Sequence, residues 1–203
     1  MCGICGKLDK NSLCSKCKII LQRQVICNIE DYKDTTSYFN EHIYMFQYSG
    51  EIRDVMLNYK FNEKSYIYET FVNFLKNNEK ICVQIKKYDI IMPIPISKKR
   101  FKQRGYNQSG LFAKKIADML QIEFAENILI KKKDNKPQST LSQEQRIQNI
   151  QDVYKIKNKE KVYDKKILLV DDIFTTGSTA NECSKMLKQA RTKEVGIFTI
   201  AKD

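Results

Sequence analysis

The chain has 203 residues, 42% of them hydrophobic and 30% charged, which excludes a disordered or fibrous protein and leaves room for one substantial core. Its net charge of +12, from 36 Lys and Arg against 24 Asp and Glu, favours polyanionic partners such as nucleic acid or a polyphosphate substrate without choosing between them. The longest apolar runs fall far short of a membrane span, and residues 1–25 lack a signal-peptide core, which predicts a cytoplasmic protein with no membrane insertion.

Seven cysteines in such a setting argue against a disulfide framework. Four cluster as Cys2-Gly-Ile-Cys5 and Cys14-Ser-Lys-Cys17, two C-x-x-C pairs separated by eight residues. This set can supply four thiolates to one tetrahedral zinc, with Gly3 and Gly6 permitting the tight turns that aim successive sulfurs inward. A redox pair and accidental thiols are the competing readings. A thioredoxin-like site would need a βαβ pattern around one pair, and none surrounds these residues. Residues 1–27 are expected to form a small zinc knuckle that cannot build a core without its metal. Residues 28–40, polar and tyrosine-containing, read as a linker to the main unit over 41–203.

Residues 42–48 (HIYMFQY) read as a strand. Its histidine, His42, is the only one in the chain and reads as a core or surface residue. Ile52, Val55, Met56 and Tyr59 then fall on one helical stripe, and Tyr68, Phe71, Val72 and Leu75 on another. Residues 89–96 read as a strand running into a turn, because Pro95 cannot continue a central ladder. Next come five cations in the seven residues 98–104, expected to lie in a loop between strand and helix. The following helix carries Phe112, Ile116, Met119 and Leu120 on one side. Residues 128–130 suggest a further strand. The basic, polar segment from Lys131 to Ser142, followed by a possible capping box with Arg146 and Asn149, is a candidate lid. A strand over 167–170, a helix from Ser178 to about Gln189 and a strand over 194–201 complete the chain. Strands alternating with helices predict an α/β fold with a doubly wound parallel sheet.

The stretch from Lys166 to Thr179 carries the clearest chemistry. The aliphatic run 167–170 reads as a strand buried on both faces. Asp171 and Asp172 follow at its carboxyl end, and Thr175, Thr176, Gly177, Ser178 and Thr179 lie in a turn opening a helix. In open α/β sheets ligands bind in that crevice, and a helix N-terminus with unpaired N–H groups suits a phosphate. The acids would repel a bare anion. They make sense beside a ligand with hydroxyl groups to donate, or with magnesium nearby, and a ribose 5-phosphate unit offers both ends. The plainer reading is a Ser or Thr N-cap after an acidic turn. The basic run occupies the corresponding strand-to-helix junction upstream, so Arg100 and Arg104 can bind a second anionic group such as pyrophosphate if both junctions share one sheet edge.

This stretch resembles the phosphoribosyl-pyrophosphate (PRPP) signature of type I phosphoribosyltransferases. Over nearly its whole length the chain resembles the ComF (ComFC, GntX-like) family. The likeness rests on the cysteine pairs, on Pro93-Ile-Pro95 with Arg100 and Arg104-Gly105-Tyr106-Asn107-Gln108, on Gln138, Leu141, Ser142, Arg146 and Asn149, and on the 171–179 loop. It implies a type I phosphoribosyltransferase fold behind a four-cysteine structural zinc site, a role in DNA uptake during natural competence, and single-stranded DNA as a ligand, with other competence proteins as partners. It also implies that Asp171 and Asp172 hold the ribose hydroxyls, residues 175–179 the 5-phosphate, and Arg100 and Arg104 the pyrophosphate with Mg2+. Displacing pyrophosphate builds positive charge on the ribose ring, which carboxylates tolerate, while cations stabilise the leaving group. On this reading Asp171, Asp172 and Arg104 are the catalytic candidates. Lysines stand at 131–133 where family members often carry arginines, which removes the bidentate fork. Three functions stay open: a competence protein binding DNA and PRPP, with transferase chemistry possible; a nucleotide-salvage phosphoribosyltransferase; and a PRPP-sensing regulator without turnover.

Overall fold

The aliphatic run 167–170 forms the centre of a six-stranded sheet. In the computed structural model, which describes residues 2, 4–10, 13–33, 36–61, 66–132 and 153–203, that run belongs to β7 (Lys166–Phe174). Its side chains are fully buried: Leu168 and Val170 in one hydrophobic cluster, Ile167 and Leu169 in another. Alternate residues of one strand feeding two clusters means that the sheet is covered on both faces. The other strands are β1 (Asn28–Asp31), β2 (Glu41–Gln47), β3 (Ile90–Pro93), β4 (Glu123–Phe124) and β8 (Glu194–Lys202), in the order β1-β2-β8-β7-β3-β4. All neighbours are parallel except β1, which runs antiparallel to β2 at the edge. A second sheet pairs β5 (Leu129–Lys131) with β6 (Tyr154–Ile156).

The helices are α1 (Ser15–Arg23), α2 (Gly50–Phe61), α3 (Ile67–Lys76), α4 (Glu79–Ile85), α5 (Lys98–Arg104), α6 (Gln108–Leu120) and α7 (Ser178–Gln189). The stripes expected from spacing are the buried ones. Ile52, Val55, Met56 and Tyr59 of α2, Phe71 and Leu75 of α3, and Phe112 and Ile116 of α6 enter the first cluster. Ala180, Cys183 and Leu187 of α7 enter the second, so α6 and α7 cover opposite faces. From β3 the chain passes through α5 and α6 to β4 on one side; from β7 it passes through α7 to β8 on the other. Two adjacent strands whose connections leave in opposite directions open a crevice at their carboxyl ends. The sheet is doubly wound, as expected.

Three local expectations change. The basic run is a helix, not a loop: the Ser97 hydroxyl accepts from the Arg100 N–H at 3.3 Å, and Gly105 ends the turn at φ 77°. Residues 28–31, within the expected linker, form the edge strand β1. The strand containing 167–170 runs on to Phe174, because Asp171 and Ile173 stay in register with Thr199 and Ala201 of β8. Lys131, at the start of the candidate lid, ends β5; the rest of it from residue 133 on, with Gln138, Leu141, Ser142, Arg146 and Asn149, lies outside the described residues, as does Gly3.

The amino-terminal segment shares the core of the sheet. Cys2, Leu13, Cys17 and Leu21 are buried in the same cluster as Ile43, Met45 and Phe46 of β2. The Ile26 and Cys27 N–H groups both donate to the Met45 carbonyl, at 2.9 and 3.2 Å.

His42 is a core residue. Thr199 Oγ1 donates to the Ala201 carbonyl at 3.1 Å, so in its 2.8 Å contact with His42 Nε2 the ring nitrogen is the donor. That fixes the Nε2–H tautomer and leaves Nδ1 with no partner among the described residues. The ring stacks on Phe174 at a centroid distance of 4.1 Å. Burial pushes its pKa down to about 3 from the ordinary 6.5, so the folded state holds it neutral. The unfolded chain binds this proton first as pH falls, so the stability contribution is full above 6.5 and is lost progressively toward 3. By about pH 5 the loss should reach about 2 kcal/mol. Urea denaturation of the parent and of His42→Gln at neutral and mildly acidic pH tests this: the parent should lose more stability than the variant, and equal losses would remove His42 as the cause.

Candidate functional site

β3 and β7 part at Val170. The last bond between them is from the Ile94 N–H to the Val170 carbonyl, at 2.9 Å; beyond it β7 pairs only with β8. Pro95 follows Ile94, with no N–H to extend the ladder. Asp171 and Asp172 are thus the first residues of β7 whose β3-side edge opens to the crevice. Consecutive strand residues point to opposite faces, and the surroundings of the two acids agree. The charge of Asp172 acts on Tyr59 and Arg104, on the α6 side, and that of Asp171 on Tyr154 and Cys183, on the α7 side. The pair straddles the end of the strand.

The start of α6 holds this arrangement. The Ser109 hydroxyl donates to Asp171 Oδ1 at 2.9 Å, and the Asp172 N–H donates to the same oxygen at 2.9 Å. Gln108, fully buried, accepts from Arg104 Nη1 at 3.0 Å through its side chain and from the Tyr59 hydroxyl at 2.7 Å through its carbonyl. Arg104 is half-buried: burial lowers its pKa, the nearby Arg100 adds to that, and Asp172 opposes it. Cations of α5 and carboxylates of β7 therefore meet across one notch, as the two strand-to-helix junctions require.

On the other side of the notch, the turn 175–177 leads into α7. Gly177 caps the helix at φ 71°, and the Asn181 N–H donates to its carbonyl at 2.8 Å. Thr176 Oγ1 lies 2.7 Å from Ser178 Oγ, and the Ser178 N–H donates to Thr176 Oγ1 at 3.4 Å. The first turn of this twelve-residue helix carries no acid of its own, so its positive end keeps its field. The structure brings Asp171, Asp172, Thr175, Thr176, Gly177, Ser178 and Thr179 together along one strand-turn-helix, with Arg104 and Arg100 entering from α5.

The four amino-terminal cysteines converge as their spacing requires. The sulfurs of Cys2, Cys5, Cys14 and Cys17 all lie within 4.8 Å of one another, with 3.7 Å between those of Cys5 and Cys14. Burial works to raise the Cys2 thiol, but the backbone N–H groups of Cys14, Cys5 and Ile4 aimed at its sulfur outweigh it and bring it down to about 6. Burial and the neighbouring thiols push Cys17 up to about 12. Four thiolates this close repel one another, and a bound cation removes the repulsion. The donor set fits a metal ion.

Known proteins resemble this chain in part or over nearly its whole length. Residues 107–203 match the phosphoribosyl transferase domain, a span that starts at the N-cap of α6 and includes the acids and the loop. Competence protein F of Haemophilus influenzae is 26% identical over 96% of this chain and 92% of its own length. Competence protein ComFC of Streptococcus pneumoniae is 26% identical over 99% of this chain and 80% of its own. Over nearly its whole length the chain is similar to the ComF family of competence proteins. The DNA utilization protein YhgH of Escherichia coli is 25% identical over 56% of this chain and 49% of that one. Among solved structures, a hypoxanthine phosphoribosyltransferase from Staphylococcus aureus overlays at a TM-score of 0.41 and 14% identity, over 62% of this chain and 60% of that one.

The sequence did not reveal Ser109 and Gln108 as holders of Asp171 and Arg104. Both sit in the first turn of α6, directly after Gly105-Tyr106-Asn107, where a helix entering the crevice directs its first side chains at the strand end. Two consecutive polar residues in the first turn of an amphipathic helix, on the side that turns toward the strand end, were the available signal. Two cavities flank the notch. One, of about 400 Å³, lies between Tyr32, Phe39 and the Thr176–Ser178 turn; the other, of about 380 Å³, lies over α5 and α6. Asp171 and Asp172, both half-buried, line neither of them.

Gly177 is constrained twice. Its φ of 71° is left-handed, and a Cβ added there would meet the Phe174 ring at 2.5 Å, where that ring is packed on His42. Gly177→Val should therefore lower unfolding free energy by about 1–3 kcal/mol, the usual cost of such strain, read from urea midpoints. An unchanged midpoint would mean that the turn relaxes freely.

Proposed function

We propose that this chain binds PRPP with Mg2+ in the notch between β3 and β7, binds single-stranded DNA on its basic surface, and acts in DNA uptake during natural competence. The observation that carries the first part is the pair Asp171 and Asp172 on the open edge of β7, between the hydroxyl-rich turn opening α7 and the guanidinium of Arg104. A sugar with a phosphate at each end suits this order of groups. Asp171 and Asp172 accept from the two ribose hydroxyls, one on each side of the strand end. The N–H groups and hydroxyls of residues 175–179 hold the 5-phosphate, and Arg104 with Arg100 holds the pyrophosphate. Magnesium bound with the ligand would neutralise charge on the pyrophosphate. If the pyrophosphate leaves, Asp171 and Asp172 offset the positive charge on the ribose ring, and Arg104, held by Gln108, stabilises the departing anion. The relatives matched over nearly the whole chain are named competence proteins, which supports the role in DNA uptake. The zinc assignment for Cys2, Cys5, Cys14 and Cys17 is supported by the all-sulfur donor set, which suits a closed structural site.

Calorimetry with PRPP and magnesium tests the sugar-phosphate reading. Asp171→Asn/Asp172→Asn removes two negative charges beside a polyanion, so electrostatics alone predicts tighter binding. Loss of charge-assisted acceptors for the ribose hydroxyls predicts the opposite, at about 1.5–3 kcal/mol per contact. The Asn oxygen at 171 can still accept from Ser109, so the fold is spared. Weaker binding is expected; equal or tighter binding would sink the phosphoribosyl reading.

Metal analysis tests the zinc. One equivalent per chain is expected, lost in Cys14→Ser. Because Cys2, Cys17, Leu13 and Leu21 belong to the core cluster of the sheet, the variant should melt at lower temperature in a single transition. A separate early transition confined to the amino-terminal segment would contradict that coupling.

A further inference from the structure

α5 presents two different faces. Arg104 turns into the notch, but Phe101 is 49% exposed and belongs to neither hydrophobic cluster. Phe101 lines the roughly 380 Å³ cavity over α6 together with Tyr68, Tyr106 and Phe124. Among the described residues, the rings of Phe101, Tyr68 and Phe124 stack on no other aromatic side chain. Lys114 and Lys115 of α6 border the same cavity, and Lys98 shares the helical face of Phe101 at i,i+3. All three lysines are exposed, and none forms an ion pair among the described residues. Two carboxylates also line it: Asp118, and Glu126, whose Oε1 leans to within 3.1 Å of where a Cβ on Gly110 would stand.

We propose that this cavity is a docking site for one unpaired base of single-stranded nucleic acid, and that it favours bases carrying an exocyclic amino group. Aromatic faces with no ring partner provide the stacking platform that an unstacked base needs and that a duplex, its bases already stacked, does not use. Unpaired lysines at the rim meet the flanking phosphates. The carboxylates decide the rest. They would repel an acidic peptide, but they accept hydrogen bonds from the amino groups of cytosine and adenine, which thymine lacks. The site rests on the reading of the chain as a single-strand binder, and it lies outside the sugar-phosphate notch, since Asp171, Asp172 and the 175–179 turn do not line it.

The test is fluorescence anisotropy of the full chain with labelled oligo-dC, oligo-dT and a duplex, at low and high salt. An oligo-rC arm distinguishes RNA from DNA as the source of the strand. The parent should bind oligo-dC several-fold tighter than oligo-dT and tighter than the duplex, with affinity falling steeply as salt rises. Phe101→Ala, at an exposed position, should weaken oligo-dC binding about ten-fold, the effect of one lost stacked base, and leave PRPP calorimetry unchanged. Glu126→Ala should close the gap between oligo-dC and oligo-dT. If the parent binds single strands but Phe101→Ala binds them equally well, the cavity is not the site and the single-strand reading stands. If the parent binds no single strand, both fall. Displacement of oligo-dC by polyglutamate at equal charge would assign the surface to an acidic protein instead.

Discussion

The molecule is organised by the point at which β3 lets go of β7. Up to Val170 the two strands share a parallel ladder, and every side chain there is buried. One residue later the ladder ends because the β3 chain turns away at Pro95, while β8 carries β7 four residues further. This asymmetry exposes one backbone edge in the middle of a sheet that is otherwise closed on both faces. Polar groups are costly inside such a sheet and inexpensive at its open end. The two acids, the hydroxyl turn and the first turn of α6 all gather there.

The same constraint sorts the cations into two populations. Arg104 is drawn into the notch, half-buried, with Gln108 fixing one nitrogen and Asp172 offsetting the penalty of burial. Its planar fork suits a fixed anionic group. Lys98, Lys99 and Lys102, on the same short helix, stay exposed. Their flexible ammonium groups suit a mobile backbone of phosphates, whose strength of binding depends on salt. One seven-residue helix thus carries a half-buried arginine on one face and exposed lysines on others.

The far edge of the sheet is held by a different set of contacts. Glu30 of β1 accepts from Lys202 Nζ at 2.6 Å and from the hydroxyls of Tyr44 and Tyr32 at 3.1 and 3.2 Å, tying the end of β8 to the edge strand across β2. Lys202 also lies 5.4 Å from the Tyr44 ring centre. Next to this network, Gly196 of β8 has no side chain because Tyr88 fills the space: its hydroxyl sits 2.0 Å from where a Cβ would be and reaches Glu41 at 2.7 Å. Together with the cysteine-bearing segment packed on β2, these contacts make the amino-terminal third part of the same body as the sheet.

The sequence by itself determined what depends on local pattern. The helical stripes, the doubly buried run 167–170, the four-cysteine spacing and the acid-hydroxyl-glycine order of 171–179 were all legible, because periodicity and turn chemistry act over a few residues. The resemblance of those motifs to known families supplied the fold and the family. Other features were decided only by the tertiary structure. The run 98–104 reads as a charged loop until Ser97 and Gly105 are seen closing it as a helix. Residues 28–31 carry no strand pattern and become one because β2 offers an unpaired edge. Ser109 meets Asp171 across 62 positions, and His42 meets Thr199 across 157. Such pairs depend on which strands become neighbours. That order is set by burying two faces of one sheet at once, a condition no short stretch of sequence contains.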